Sequence, residues 1–193
     1  MIFFKMMLDK TLILYSSIDG QTKKIINYIL NHIEEDIANF DIIEISTYDS
    51  SKINLNDYHK ILVASSIRYG KHHPEIINFV NKNYIELNSK PSAFISVNLV
   101  ARKAEKSKSN TNPYVSKFLE ETLWKPNLVS VFAGVLNYKA YSFWDRIMIQ
   151  IIMMMTKGPT KSSTNIEYTK WEDVDEFVTS FKNLSLKPTK NSH

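Results

Sequence analysis

Cysteine is absent from these 193 residues, which removes disulfides, thiolate nucleophiles and Cys-ligated zinc or iron–sulfur sites from consideration. Glycine is scarce, at four residues. Neither a Gly-x-Gly-x-x-Gly run nor a P-loop ending in Gly-Lys-Ser/Thr occurs, so a Rossmann dinucleotide site and a nucleoside triphosphate site are both disfavoured. The five histidines include the adjacent pair His72 and His73 but no His-Glu-x-x-His spacing, and no metal is expected. No apolar run reaches the length of a bilayer span. Residues 1–8 are apolar, yet too short for the full architecture of a signal peptide and without a small-residue cleavage site. A cytoplasmic protein able to touch a membrane is the expectation. An acidic surface is missing as well, because the net charge is +4. That speaks against a carrier steered by negative charge and leaves room for an anionic ligand, a membrane surface or nucleic acid.

The chain is 44% hydrophobic and 23% charged, which suits one globular domain with a substantial core. Its most informative stretch is residues 11–22. Five residues rich in β-formers, Thr11 to Tyr15, run into the polar turn Ser16, Ser17, Ile18, Asp19, Gly20, Gln21 and Thr22. A helical stripe follows at Ile25, Ile26, Ile29, Ile33 and Ile37. Strand, hydroxyl-rich turn and helix in that order place free backbone N–H groups and Ser and Thr hydroxyls at a helix N-terminus, where a phosphate binds well. The plainer reading is a strand-to-helix turn in which Gly20 supplies a permissive φ.

The same alternation continues. Residues 40–45 read as a strand and residues 61–64 as a short continuous apolar strand of the kind found inside a parallel sheet. The latter empties into a cluster containing Ser66, Ile67, Arg68, Tyr69, Gly70, Lys71, His72 and His73. Pro74 then opens a helix with Ile76, Ile77, Val80 and Tyr84 on one side. A strand over 93–97 ends in Asn98 and Leu99 before a basic loop with Arg102 and Lys103. Asn112 and Pro113 announce a helix carrying Val115, Phe118, Leu119 and Leu123, and residues 128–133 form the next strand. Thr169 and Glu172 have capping-box spacing before the terminal stripe from Trp171 to Leu184, and the tail from Lys187 is expected to fray. The pattern predicts an α/β sandwich on a parallel sheet. Its polar loops converge on the C-terminal edge, where such sheets bind ligands. The cluster at 65–73 reads either as part of that site or as a solvated loop.

Residues 141–155 break the repeat. Tyr141, Trp144, Ile147, Met148, Ile151, Ile152 and Met155 line one helical face, and Lys139 and Lys157 bracket it. This face is either buried against the domain or a partner, or interfacial, meeting lipid or a lipophilic substrate.

With these residues in view, the chain resembles the flavodoxin-like family, and within it the small FMN- and quinone-dependent protoporphyrinogen IX oxidases of proteobacteria. The resemblance covers residues 10–186. It rests on residues 11–22, on the run Ala64-Ser65-Ser66-Ile67-Arg68-Tyr69-Gly70, on residues 91–103 and on the insert around Trp144, Asp145 and Arg146.

It implies a five-stranded, doubly wound parallel sheet of order 2-1-3-4-5 over residues 10–186. An extension, 1–9, would precede this domain, an insert, 138–158, would split the last strand region, and a flexible tail, 187–193, would follow. It implies FMN, with Ser16 to Thr22 around the phosphate. Ser66, Ile67, Arg68, Tyr69 and Gly70 would then flank the ring together with Asn98, Leu99, Val100, Ala101 and Arg102. Ser17 and Ile18 stand where close relatives carry Thr and Arg, which removes one positive charge near the phosphate. The implied reaction takes six electrons from protoporphyrinogen IX in three flavin reductions, each reset by menaquinone or ubiquinone. The flavin accepts hydride, so no catalytic side chain is required. Arg68, Arg102 and Lys103 are candidate contacts to the substrate's carboxylates. The implied location is peripheral, on the cytoplasmic side of the inner membrane, against the membrane surface or a membrane-bound quinone-using enzyme. An electron carrier or general FMN-dependent quinone reductase is the competing role. A scaffold or nucleic-acid binder would use the positive charge alone, but the basic residues are scattered, and no nucleic acid is expected.

Overall fold

The computed structural model describes residues 10–35, 37–137, 154 and 165–185. The extension 1–9, the tail 187–193 and the 141–155 stripe, apart from Met154, lie outside the described residues.

A central sheet runs through the chain: β1 (Thr11–Ser16), β2 (Phe40–Glu44), β3 (Lys60–Arg68), β5 (Ser92–Val97) and β6 (Leu128–Phe132), in the order β2-β1-β3-β5-β6 and all parallel. A two-residue strand, β4 (Lys71–His72), pairs antiparallel with the end of β3. The order reverses at β1, the switch point of a doubly wound sheet. A separate hairpin of β7 (Val135–Asn137) and β8 (Asn165–Glu167) follows β6.

The central strands are apolar at nearly every position because helices cover both faces. Leu12, Leu14, Ile61, Val63 and Phe94 point one way, under α2 (Pro74–Lys82), α3 (Tyr84–Asn88) and α4 (Pro113–Glu121). Ile13, Leu62, Ala64, Ala93 and Ile95 point the other way, under α1 (Gln21–His32) and α5 (Trp171–Lys182). On the first face Phe94 stacks on Phe118 with ring centroids 4.1 Å apart, and Trp124 meets both edge-on.

Four local expectations change. The first helix ends at His32 rather than reaching Ile37, because Glu34 takes a left-handed backbone (φ 54°) that turns the chain back towards β2. Ile37 is left exposed in a 3-10 turn. Asn83 (φ −117°) breaks the helix after Lys82, so Tyr84 starts a separate one. Leu123 lies beyond the end of α4 and is exposed. The capping box at Thr169 does not form: Lys170 caps α5 without a side-chain bond, and the Thr169 hydroxyl donates instead to the Ala133 carbonyl at 2.6 Å. Pro74 and Asn112 sit as expected, the Asn112 carboxamide accepting from the Tyr114 and Val115 N–H groups.

Candidate functional site

Registers fix the site. Ser16 pairs with Ser65, and Ser66 with Val97, so the turns after β1, β3 and β5 emerge side by side from the C-terminal edge. In the first turn Gly20 holds φ 80° at the cap of α1, with no atom within 4 Å of where a Cβ would sit. The backbone angle, not crowding, calls for glycine. Ser17 Oγ accepts the Lys23 N–H at 3.3 Å, and the Lys24 N–H closes on the Gly20 carbonyl at 3.0 Å. No acidic residue stands in the first turn of α1 itself, and Asp19 precedes its Gly20 cap. Thr22 is buried at 1% exposure, and its Oγ1 has no hydrogen-bond partner. Ile18 lies at the surface and Gln21 is buried.

The second turn is a hairpin. Part of the predicted loop over 65–73 is sheet, since β3 runs on to Arg68 and returns as β4. Tyr69 (φ 50°) and Gly70 (φ 77°) make the two-residue turn, the positive-φ pair that matches strand twist. Tyr69 is 69% exposed, with the Arg68 guanidinium 5.3 Å from its ring centroid. Ser66 Oγ is buried without a partner. Beneath it, Ser65 Oγ lies 2.9 Å from Ser16 Oγ, donates to the Ser66 carbonyl and accepts the His73 N–H at 3.2 Å. The Ser16 hydroxyl therefore ties strand ends together inside the edge.

In the third turn Asn98 is buried. Its Oδ1 accepts from the Ala101 N–H and Asn112 Nδ2, and its Nδ2 donates to Ser96 Oγ at 3.0 Å. Leu99 and Val100 are half-buried and Ala101 is buried. Arg102 Nη1 donates to the Leu99 carbonyl at 2.8 Å, which draws the guanidinium onto its own loop. Lys103, half-buried, ends the turn.

His72, which the sequence placed in a ligand-like cluster, is interior. Its Nε2 is 2.9 Å from Ser96 Oγ, and its ring meets Phe94 and Phe118 edge-on. Burial pushes its pKa down to about 3, so it is neutral. Ser65, Ser96 and Asn112 complete this support and were not singled out as site residues. A hydroxyl at or just past the end of an apolar strand run was the signal for the two serines.

Among the described residues, the buried side-chain polar atoms without a hydrogen-bond partner are Thr22 Oγ1, Ser66 Oγ and His73 Nδ1, the last 3.9 Å from Glu75 Oε2, and all three lie along this edge. Unpaired buried polar groups are costly. Here they stand at a left-handed glycine, a helix N-terminus and a basic rim, which fits an anionic, flat, hydrogen-bonding cofactor such as FMN.

Comparison with known proteins agrees with this geometry. The flavodoxin domain family model matches residues 12–163. A protoporphyrinogen IX dehydrogenase (quinone) from Leishmania major is 44% identical over 178 residues, covering 92% of this chain and 76% of that protein. The protein of that name from Escherichia coli K12 is 42% identical over 185 residues, covering 93% and 98%. In structure, the rubredoxin oxygen:oxidoreductase of Desulfovibrio gigas superposes with a TM-score of 0.50 at 10% identity. That match covers 90% of this chain and 35% of the larger protein, a likeness of fold alone. The chain belongs to the flavodoxin-domain family, in its branch of quinone-dependent protoporphyrinogen IX dehydrogenases.

Proposed function

We infer that this protein oxidises protoporphyrinogen IX to protoporphyrin IX, using FMN and passing the electrons to a quinone. Bound FMN supplies a two-electron acceptor, and the chain supplies position, charge and exclusion of side reactions. The observation that carries the placement is the pair of unpartnered buried hydroxyls, Thr22 Oγ1 and Ser66 Oγ, on neighbouring turns at the switch point. In this reading residues 16–22 hold the phosphate, and residues 66–70 and 98–102 flank the ring.

Arg68, Arg102 and Lys103 stand on the rim of the same edge and suit the carboxylates of the porphyrinogen. A guanidinium fork offers bidentate bonds that a lysine cannot. Arg68 is tested first, because it ends β3 beside the exposed hairpin turn at Tyr69. Arg68→Gln is expected to raise KM for the porphyrinogen several-fold, on the order of 1 kcal/mol, and to change FMN affinity less. Equal movement of both would make it a flavin residue.

The location belongs to the same proposal. No helix among the described residues is long and apolar enough to cross a membrane. The 141–155 stripe, flanked by Lys139 and Lys157, would then meet the cytoplasmic face of the inner membrane or a quinone-using enzyme there. Porphyrin fluorescence, followed anaerobically with purified protein and a soluble quinone, tests the reaction. Porphyrin should appear only when the quinone is present, and a protein that neither carries nor takes up FMN would refute the assignment.

A further inference from the structure

Gln21 belongs to the phosphate turn, yet its side chain is directed elsewhere. Both amide hydrogens are engaged, one to Glu167 Oε1 at 2.9 Å and one to Thr169 Oγ1 at 2.8 Å. Thr169 passes the chain of bonds on to the Ala133 carbonyl at 2.6 Å. The second oxygen of Glu167 holds Lys24 Nζ at 2.7 Å, and that ammonium lies 5.2 Å from the ring centroid of Trp171 at the start of α5. Strands β1 and β6 are not neighbours, since β3 and β5 lie between them. The connection therefore crosses the edge of the sheet, from the first turn of α1 to the end of β6 and the β7–β8 hairpin. Glu167 is the last residue of β8 and pairs with Val135, the first of β7, so it sits at the root of that hairpin.

We propose that Gln21 and Glu167 are positioning residues forming a latch through which the β7–β8 hairpin fixes the phosphate turn, coupling hairpin docking to FMN affinity. The proposal rests on placing the FMN phosphate in residues 16–22. A buried carboxamide with both donors engaged has one orientation, and it fixes the residue immediately before Thr22. Withdrawal of the hairpin would take the Glu167 acceptor from that amide and leave one of its donors unpaired, loosening the turn. Linkage makes the effect reciprocal: a cofactor that needs the ordered turn holds the hairpin down, and the docked hairpin strengthens cofactor binding.

FMN affinity of the apoprotein, read by quenching of flavin fluorescence, tests this in a double-mutant cycle. Glu167→Ala should weaken FMN by about five- to tenfold, although Glu167 lies outside all three turns. Adding it to Gln21→Ala should cause no further loss, because both changes break one latch. Glu167→Gln keeps an acceptor for Gln21 and should recover most of the affinity. Wild-type affinity in Glu167→Ala, or additive losses in the double variant, would overturn the latch. Should Glu167→Ala fail to fold, Thr169→Val removes the other acceptor and is read in the same way. Thr22→Val, measured alongside, separates the two ideas. Affinity lost there but kept in Glu167→Ala rejects the latch alone, whereas affinity unmoved in Thr22→Val rejects the phosphate placement and the latch with it.

Discussion

The two edges of the central sheet are finished differently. At the N-terminal edge the polar groups are closed off. Lys60 is buried at the start of β3, and its ammonium caps the end of α5 by donating to the Phe181 and Lys182 carbonyls at 2.9 and 3.0 Å. Ser92 Oγ accepts from Trp124 Nε1 and donates to the Leu87 carbonyl, and the Ser92 N–H reaches Asn127 Oδ1. Asp41 receives Lys10 and the Tyr58 hydroxyl; burial alone would raise its pKa, but these bonds outweigh it and hold the carboxyl below its ordinary value. At the C-terminal edge Thr22 and Ser66 keep buried hydroxyls without hydrogen-bond partners, and Tyr69 holds a left-handed backbone at high exposure. The same sheet is sealed at one end and left unsatisfied at the other. Unsatisfied groups persist where a ligand completes them.

If the sealed edge serves stability, Trp124→Ala should have the largest effect on folding. The side chain is fully buried and contacts Phe94 and Phe118, so about 3–5 kcal/mol should be lost in urea unfolding. FMN bound by the folded fraction should keep its affinity. Thr22→Val inverts that pattern. It should cost FMN a charge-assisted hydrogen bond of about 1.5–3 kcal/mol, a ten- to hundredfold weaker affinity, while stability of the apoprotein stays level or rises. A fall in stability with unchanged affinity would place Thr22 on the wrong side of the comparison.

His72 belongs to the C-terminal edge but behaves like the sealed one, and pH exposes this. Its folded pKa of about 3 lies below the unfolded value near 6.5, so unfolding takes up a proton in between. Stability should be complete above pH 6.5 and decline as pH falls towards 3. Between pH 6.5 and 5 the loss should reach about 2 kcal/mol, at about 1.4 kcal/mol per unit. In His72→Gln, which retains a partner for Ser96, that part of the pH dependence should disappear. An equally steep decline in the variant would assign it to other groups.

Periodicity made the layered part of this fold legible. Ile61 to Ala64 could be read as an interior parallel strand because every residue is apolar, and the stripes at Ile25 to Ile33 and Val174 to Phe181 named the helix faces. The strand, hydroxyl-rich turn and helix start over 11–22 were legible because their signals are local: hydroxyls, a glycine and a helical stripe that begins within a few residues. The rest depended on tertiary partners. Nothing in 65–73 indicates that His72 turns inward to Ser96, since that bond joins residues 24 apart and needs β5 in register. Thr169 carries a perfect local capping signal, yet the Ala133 carbonyl and Gln21 amide compete for its hydroxyl and win. Gln21 shows the same limit, because its acceptor lies 146 positions away.

Amide hydrogen exchange of the apoprotein, with and without FMN, compares the two edges in one experiment. Protection should increase in the turns at 16–22, 66–70 and 98–102, while the backbone around Lys60, Ser92 and Trp124 exchanges at the same rate in both states. Saturating FMN that leaves those three turns unchanged, or that protects the Lys60 and Trp124 edge instead, would contradict the division of the sheet into a sealed end and a cofactor end.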